Sequence, residues 1–158
     1  MPQNMLIVHG GGPTAVMNCS LFGAIDEAKK SGKVGKIYGA LGGMSGVLTE
    51  CFVGLDQVTD SALALLTTTP GSAIGTSRDA MEAEDYAKVA EILKKYDIRY
   101  ALFNGGNGTM DTCGKVYRAC KEAGLRPHCR NEHQRHLYCR RPGAGHRPGH
   151  GPQDPGHL

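Results

Sequence analysis

Short apolar runs alternate with longer segments of helical periodicity along the first 126 residues of the chain. Three runs are short, apolar and bounded by glycine or charged residues, which is typical of buried strands. They occupy residues 4–10, 34–40 and 98–103. Helical spacing of apolar residues predicts helices over 15–30 and 82–97, and a last helix that ends near residue 123. The pattern over 82–97 is the most regular, with acidic residues first and lysines last.

The segments between these elements are rich in glycine, serine and threonine. Residues 41–50 and 70–79 predict loops, and residues 56–69 predict a helix that frays at its threonines. Strands that alternate with helices favour parallel pairing, because each helix returns the chain to the same end of the sheet. The predicted fold class is therefore α/β, a doubly wound (Rossmann-like) parallel sheet with helices on both faces.

The formal charge of the chain is +3, but the whole excess lies near the C-terminus. Residues 1–126 contain thirteen Lys/Arg and thirteen Asp/Glu, whereas residues 127–158 contain five Arg against two acidic residues. Proteins that bind nucleic acid carry a basic patch on their folded surface. A neutral folded part therefore argues against a nucleic-acid partner, and Tyr138 is the only aromatic residue available to its C-terminal arginines for stacking.

No segment contains the run of about eighteen apolar residues that a membrane span needs, and no signal-peptide pattern opens the chain. We therefore expect a cytoplasmic protein with no membrane partner. The six cysteines lack the regular spacing of a disulfide framework, so we expect reduced thiols. Four of them are expected to be small buried residues of helices or strands: Cys19, Cys51, Cys113 and Cys120.

Two predicted strand-to-helix connections are rich in glycine, VHGGGPTAVMN at 8–18 and FNGGNGTMDT at 103–112. Ligands of an open parallel sheet bind beyond the carboxyl ends of its strands. Glycine there lets backbone amides approach an anion, and the following helix presents unpaired N–H groups, with Thr109 suited to its N-cap. One such loop is equally well explained as a tight turn, but two in one sheet predict a phosphate site.

Arg78, in the segment GTSRD at 75–79, adds a third element. A guanidinium binds phosphate through paired hydrogen bonds, although a lone arginine is more often a solvated surface residue. Beside two phosphate loops we interpret Arg78 as a clamp. The patterns G-x-x-x-x-G-K-[ST] and G-x-G-x-x-G are both absent, which argues against a Walker-type NTPase and a dinucleotide oxidoreductase.

Four segments taken together resemble the phosphofructokinase family. GGGPTAVMN, GKIYGALGGMSGVL, GSAIGTSRD and NGGNGTMDT occur in the order and at about the spacing of that family, over residues 4 to about 126. Each is weak alone, and the last also resembles the loop of NAD kinases and diacylglycerol kinases. The resemblance implies a glycolytic kinase, a homo-oligomeric 6-phosphofructokinase that transfers a phosphoryl group to the 1-hydroxyl of fructose 6-phosphate.

The resemblance also implies roles for individual residues. Gly11 and Gly12 would lie beside the transferred phosphate, and Gly12 and Arg78 would contact the transition state. Arg78 and its neighbour Asp79 would contact the donor nucleotide. The loop that holds the nucleotide and Mg²⁺ would consist of Gly106, Asn107, Gly108 and Thr109.

Two positions of that last loop bear on the metal and the donor. ATP-using members usually have an aspartate as Mg²⁺ ligand where this chain has Asn107, whose amide oxygen binds a hard cation without adding charge. Members that use pyrophosphate often have an aspartate at the next position, which would crowd and repel a nucleotide phosphate, whereas this chain has Gly108. We therefore expect ATP with Mg²⁺ as the donor. Pyrophosphate is the alternative, because the amino-acid sequences of the glycine motifs are closer to those of pyrophosphate-type and mixed relatives.

The family's catalytic aspartate lies in a T-x-D-N-D segment, and this chain has no such segment. The segment is expected soon after residue 126, where the composition changes instead. Residues 127–158 contain five Gly, five Pro, five Arg and six of the seven His, which predicts disorder. We therefore divide the chain into a donor-binding part, residues 1–126, and a tail, residues 127–158, and assign no catalytic base.

The tail has two further interpretations. The Cys and His residues between 129 and 139 resemble zinc ligands in type, but their spacing matches no common zinc module. A frameshift near Arg126 explains more, because codons for residues 134–136 read one base later can encode Asn-Asp and the start of Ile, as in the missing segment. The coding DNA tests this hypothesis: it fails if the shifted frame contains no long stretch of catalytic sequence.

Without the base and most of the sugar site, the chain as written is expected to be inactive. The competing hypothesis is a non-catalytic nucleotide-binding fragment, or one that pairs with a separate chain. Calorimetry separates these from an unstable remnant, because only a folded fragment binds the donor.

Overall fold

The structure is a computed structural model that describes residues 2–131. These residues form a five-stranded sheet flanked by helices. The strands are β1 (Gln3–His9), β2 (Val34–Ala40), β3 (Phe52–Gly54), β4 (Ile98–Asn104) and β5 (His128–Asn131). Their order across the sheet is β3-β2-β1-β4-β5, and all neighbours are parallel except β2 and β3.

Five helices connect the strands within the described residues. They are α1 (Ala15–Ser31), α2 (Gly43–Leu48), α3 (Asp60–Leu65), α4 (Ala83–Lys95) and α5 (Asn107–Glu122). None of the helices between residues 2 and 131 is long and apolar enough to cross a bilayer.

The α/β fold class is confirmed, but the sheet is mixed where we predicted a parallel one. β3 runs antiparallel to β2 because the connection between them, residues 41–51, is too short for a crossover. Parallel neighbours need a connection of a dozen or more residues. The antiparallel strand lies at the edge of the sheet, so the centre of the sheet retains the predicted parallel arrangement.

Three elements occur where the sequence predicts none: the short edge strand β3, α2 and β5. α2 lies in the predicted glycine loop, and its Gly46 packs so closely on the carbonyl of Leu41 that an added Cβ would lie 2.1 Å from that oxygen. Backbone packing, and not helix propensity, therefore places this short helix. β5 lies within the predicted tail and pairs with β4 from Tyr100 to Phe103. The rest of that tail, residues 132–158, lies outside the described residues, as does most of the candidate zinc set.

The predicted helix over 82–97 is confirmed as α4. At its start the carboxylates of Glu82 and Asp85 each accept a backbone N–H of the other residue, which forms a capping box. Lys94 and Lys95 lie in its last turn, where positive charge complements the helix dipole. The predicted fraying of 56–69 also agrees with α3, which ends at Leu65 before three threonines.

The sheet divides the apolar core into two clusters. In β1, Leu6 and Val8 belong to the cluster formed with α4 and α5, whereas Ile7 belongs to the cluster formed with α1. This alternation is the period of two that a strand buried on both faces requires. Cores on both faces fix the sheet, and hence the ends of β1 and β4, from which the candidate site is built.

All five described cysteines are free thiols. Cys113 and Cys120 are buried as predicted, and burial raises the pKa of each thiol to about 11. The prediction is wrong for Cys19 and Cys51, which are exposed on α1 and in the turn before β3. Periodicity did not distinguish the outer face of α1 from its inner face at Cys19.

Candidate functional site

The two glycine loops emerge side by side from the sheet. β1 and β4 are parallel neighbours, and His9 is paired in register with Asn104 at their carboxyl ends. The N–H of Gly10 donates to the carbonyl of Asn104 at 3.0 Å, which continues the pairing into the loops. The sequence places both loops at one edge of the sheet, and the topology makes them immediate neighbours.

Glycine is required where these loops meet. A Cβ added at Gly105 would lie 2.4 Å from the carbonyl oxygen of Gly10 and 2.4 Å from Oγ1 of Thr109. A Cβ at Gly10 would lie 2.5 Å from the same hydroxyl. The side chain of Thr109 therefore fills the space between the two loops, and neither loop can carry a side chain at these positions.

The prediction that Thr109 is the N-cap of the last helix is wrong. Gly106 occupies the N-cap, with φ −82° and ψ −162°, and α5 begins at Asn107. Thr109 is thus the third residue of the helix, where its side chain turns inward to the glycines. Glycine at the cap leaves the first N–H groups of α5 without a side-chain acceptor in the described part of the chain, in keeping with an anion site.

The segment of residues 70–79, here named the Arg78 loop, closes the site from the side of β1. The N–H of Gly11 donates to the carbonyl of Ser77 at 3.2 Å, and Oγ1 of Thr76 donates to the carbonyl of Gly11 at 2.9 Å. Arg78 therefore lies beside the first glycine loop, where its Nη2 is 3.4 Å from the position of a Cβ on Gly12.

The amides of the first loop differ in their availability. Those of Gly10 and Gly11 already donate to Asn104 and Ser77. The amide of Gly12 has no protein acceptor among residues 2–131. Of the two glycines that the sequence selects in this loop, Gly12 is therefore the one whose N–H group is unpaired within residues 2–131.

The N-terminus of α2 is attached to the Arg78 loop. The N–H of Met44 donates to the hydroxyl of Ser77, and both the N–H and the hydroxyl of Ser45 donate to the carboxylate of Asp79, at 2.9 and 2.7 Å. Partial burial raises the pKa of Asp79, but the hydrogen bonds from Ser77 and Ser45 outweigh it and hold that pKa below its usual value. Asp79 is therefore an ionised residue that anchors α2.

These loops surround a cavity of about 360 Å³. Six of the eight predicted site residues line it: Gly11, Arg78, Asp79, Gly106, Gly108 and Thr109. Gly12 and Asn107 do not line it, although Gly12 adjoins Arg78 and Asn107 begins α5. The sequence analysis missed His9, Met44, Ser77 and Thr112, which also line it. Among these lining residues Arg78 and Asp79 carry charge, and Asp79 is already paired with α2.

The buried polar side chains of residues 2–131 lie beneath the loops, and they are His9, Asn18 and Asn104. Asn18 donates to the carbonyl of Thr69 and accepts the N–H of Ala73, both at 2.8 Å. The sequence signal for this layer is a polar residue at the end of an otherwise apolar strand, at His9 and again at Asn104. The prediction of two apolar strands gave their polar last residues no role.

Burial lowers the pKa of His9 from 6.5 to about 4. The unfolded chain therefore binds a proton as pH falls through about 6.5, while the folded chain does not until about pH 4. Because the unfolded state binds more protons in this window, stability decreases as pH falls from about 6.5 to 4, by up to about 3 kcal/mol.

Urea unfolding between about pH 7 and pH 4 measures this loss. His9→Asn, which has no titrating ring, is the comparison protein, and both proteins share the acid-side contribution of Asp79. We expect the unsubstituted chain to lose more stability than the variant over this range. Equal losses would show that His9 does not titrate as its burial requires.

A second and larger cavity, about 800 Å³, lies between α1 and the strands β4 and β5. It is lined by small residues of α1, such as Ala24, and by Tyr100, Leu102 and His128 of the sheet. It contains none of the predicted site residues, so the smaller cavity at the strand ends is the candidate site.

Known proteins match most of this chain. The family profile for phosphofructokinase matches residues 4–129. The chain is 36% identical over 124 residues to the pyrophosphate–fructose 6-phosphate 1-phosphotransferase of Rhodospirillum rubrum, and the match covers 77% of this chain and 31% of that protein.

Solved structures give the same result. The chain matches a pyrophosphate-dependent phosphofructokinase from Nitrosospira multiformis with a TM-score of 0.77 at 36% identity, over 82% of this chain and 33% of that one. It matches another from Marinobacter aquaeolei with a TM-score of 0.76 at 32% identity, over 82% of this chain and 32% of that one. The chain thus spans about a third of the length of these relatives. Its sequence and fold show that it belongs to the phosphofructokinase family.

Proposed function

We propose that this chain forms the phosphoryl-donor site of a phosphotransferase that acts on the 1-hydroxyl of fructose 6-phosphate. The observation that carries the proposal is the meeting of two glycine loops and Arg78 around one cavity at the carboxyl ends of β1 and β4. The relative from Rhodospirillum rubrum bears the name of this reaction.

The chemistry of phosphoryl transfer suits such a site. The transferred group spreads its charge over three oxygens, and catalysis consists mainly of positioning and charge stabilisation. The free N–H of Gly12, the N-terminal turn of α5 and the planar guanidinium of Arg78 supply donors and positive charge from three directions. The chain's own residues would thus bind and orient the donor.

A Mg²⁺ ion, when bound, would neutralise charge on the phosphate oxygens of the donor. Among residues 2–131, no group of three or more His, Cys, Asp or Glu side chains is placed to hold a metal ion. Asn107 offers an exposed neutral amide, and both carboxylate oxygens of Asp79 accept hydrogen bonds from Ser45. Because the oxygens of Asp79 already accept hydrogen bonds, the arrangement fits a cation that the donor brings with it. Asn107 would contact that cation through its amide oxygen or through a water molecule.

We propose pyrophosphate as the donor, with ATP as the second candidate. The named pyrophosphate-dependent relatives at 32–36% identity favour pyrophosphate. Gly108 favours ATP. No described atom lies within 4 Å of a Cβ added there, so the fold does not require glycine at this position, and the missing side chain leaves room for a nucleotide phosphate. Calorimetric titration of the chain with magnesium pyrophosphate and with magnesium ATP tests the choice. Tighter binding of ATP would overturn it.

Gly108→Asp separates the two donors more sharply. The aspartate fits the open space at this position, and its charge would repel the additional phosphate of a nucleotide. We expect ATP affinity to fall about tenfold and pyrophosphate affinity to change less. Gly108→Asn has the same shape without the charge and is the matched control. Equal weakening of ATP binding by both variants would show that crowding, and not charge, discriminates.

The chain contains no T-x-D-N-D segment, and we propose that it binds the donor without turning it over. A coupled assay for fructose 1,6-bisphosphate, run beside the binding measurement, tests this. Turnover by the purified chain would contradict the proposal, whereas binding without turnover supports a donor-binding fragment.

A further inference from the structure

The buried polar layer beneath the loops connects the end of β1 to the Arg78 loop. We propose that His9 and Ser72 are positioning residues that hold the Arg78 loop against the first glycine loop. The inference deepens the proposed function and rests on it, because Arg78 matters only if the site binds a phosphoryl donor.

The hydrogen bonds fix which nitrogen of His9 carries the proton. The hydroxyl of Ser72 donates to the carbonyl of Gly75 at 3.0 Å, which uses its only proton. Ser72 must therefore accept from Nδ1 of His9, 2.7 Å away. Nδ1 thus carries the proton and Nε2 is a bare acceptor.

The other side of the ring agrees with this assignment. Nδ2 of Asn104 donates to the carbonyl of Met17 at 3.1 Å, which orients its amide, and the same nitrogen lies 3.4 Å from Nε2 of His9. The amide of Asn104 therefore presents an N–H donor to the unprotonated Nε2 of His9. The neutral imidazole is therefore the form for which every contact has a donor and an acceptor.

The contact of His9 with Ser72 acts on the turn that leads to Arg78. Ser72 to Gly75 form a turn, closed by the N–H of Gly75 donating to the carbonyl of Ser72 at 3.2 Å, and Gly75 has φ +72°. On its other side a Cβ at Gly75 would lie 3.2 Å from the amide nitrogen of Gly42. The turn is thus held between His9 and the start of α2, three residues before Arg78.

Satisfaction of buried polar groups does not by itself require histidine at position 9. With an apolar residue there, Ser72 could still donate to Gly75, and Asn104 could still donate to Met17. An apolar side chain would also avoid the cost of burying a polar ring. What the ring adds, beside the contacts of Gly11 with Ser77 and Thr76, is a side-chain hydrogen bond from the end of β1 to the turn of the Arg78 loop at Ser72.

Calorimetric titration with magnesium pyrophosphate tests the connection. Ser72→Ala removes the acceptor and is expected to weaken binding about fivefold to tenfold. His9→Asn places an amide nitrogen where Nδ1 lies and should bind like the unsubstituted chain, whereas His9→Gln reaches only the Nε2 position and should weaken binding like Ser72→Ala. Ser31→Ala is the matched control, because its hydroxyl also donates to a backbone carbonyl, that of Ala28, but lies at the end of α1.

A double-mutant cycle distinguishes positioning from general destabilisation. If Ser72 acts through Arg78, Ser72→Ala has no further effect on pyrophosphate affinity in an Arg78→Ala chain. Independent effects of the two substitutions would overturn the inference. So would normal binding by His9→Gln together with weakened binding by His9→Asn.

Amide hydrogen exchange judges the inference without a ligand. The N–H of Gly11 donates to Ser77 and that of Gly42 donates to Ile74, so both report on the attachment of the Arg78 loop. Ser72→Ala should speed their exchange relative to the N–H of Gly10. If the unsubstituted chain fails to bind pyrophosphate, the proposed function fails; unchanged exchange at Gly11 and Gly42 would overturn the positioning role itself.

Discussion

Replacing Arg78 with alanine is expected to weaken binding of magnesium pyrophosphate to this chain by about 10- to 150-fold. Among the described residues that line the candidate site, the guanidinium is the one positive charge, and it lies beside Gly12. Hydrogen bonds to charged groups contribute about 1.5–3 kcal/mol each, which corresponds to this range of affinity. Calorimetric titration at fixed ionic strength measures the change, since salt screens such contacts.

Two further variants interpret the result. Arg78→Lys keeps the charge but loses the planar fork, so we expect an affinity between those of the alanine variant and the unsubstituted chain. Arg118→Ala removes an equal charge from the exposed surface of α5 and should leave binding nearly unchanged. If Arg118→Ala weakens binding as much as Arg78→Ala, net charge and not a clamp accounts for the effect.

The central strands and long helices were predictable because their signals are local. The period of α4 and the apolar runs of β1 and β4 depend on burial that any folded arrangement must satisfy. α2 and β3 were not predictable in the same way. α2 depends on contact between Gly46 and Leu41 that propensity opposes, and β3 is a three-residue edge strand.

β5 shows a different limit of the sequence argument. Its four residues contain no aliphatic side chain, so the composition of the tail predicted disorder. The strand is placed instead by backbone pairing with β4 and by Tyr100, whose ring stacks on His128 at a centroid distance of 5.7 Å. Amino-acid composition cannot detect a strand that forms because its backbone pairs with a neighbouring strand.

The site could be predicted in its loops but not in its supports. Gly11, Gly106 and Arg78 belong to motifs, and the order of the strands brings them together. The contact between His9 and Ser72 spans 63 positions, and that between His9 and Asn104 spans 95. No local pattern reports such distances. The same applies to Thr109, whose side-chain direction depends on where α5 begins.

Gly43→Ala is expected to lower the free energy of unfolding by about 2–5 kcal/mol. Gly43 has φ +66°, a conformation that costs a residue with a Cβ about 1–2 kcal/mol. The new Cβ would also lie 2.5 Å from Oγ and 2.6 Å from N of Ser77, and 2.8 Å from the carbonyl oxygen of His9. Two of these are backbone atoms held by the sheet and the Arg78 loop, so overpacking adds a further ~1–3 kcal/mol.

Gly114→Ala is the matched control, because it makes the same chemical change in the middle of α5, where nothing lies within 4 Å of the added Cβ. Alanine there should raise the free energy of unfolding by about 0.5–1 kcal/mol, since glycine is a poor helix former. Urea unfolding followed by circular dichroism measures both changes. Because α2 packs against the Arg78 loop, the two substitutions must change the free energy of unfolding in opposite directions. A Gly43→Ala chain as stable as the Gly114→Ala chain would mean that α2 does not pack against Ser77, and that this wall of the candidate site is misplaced.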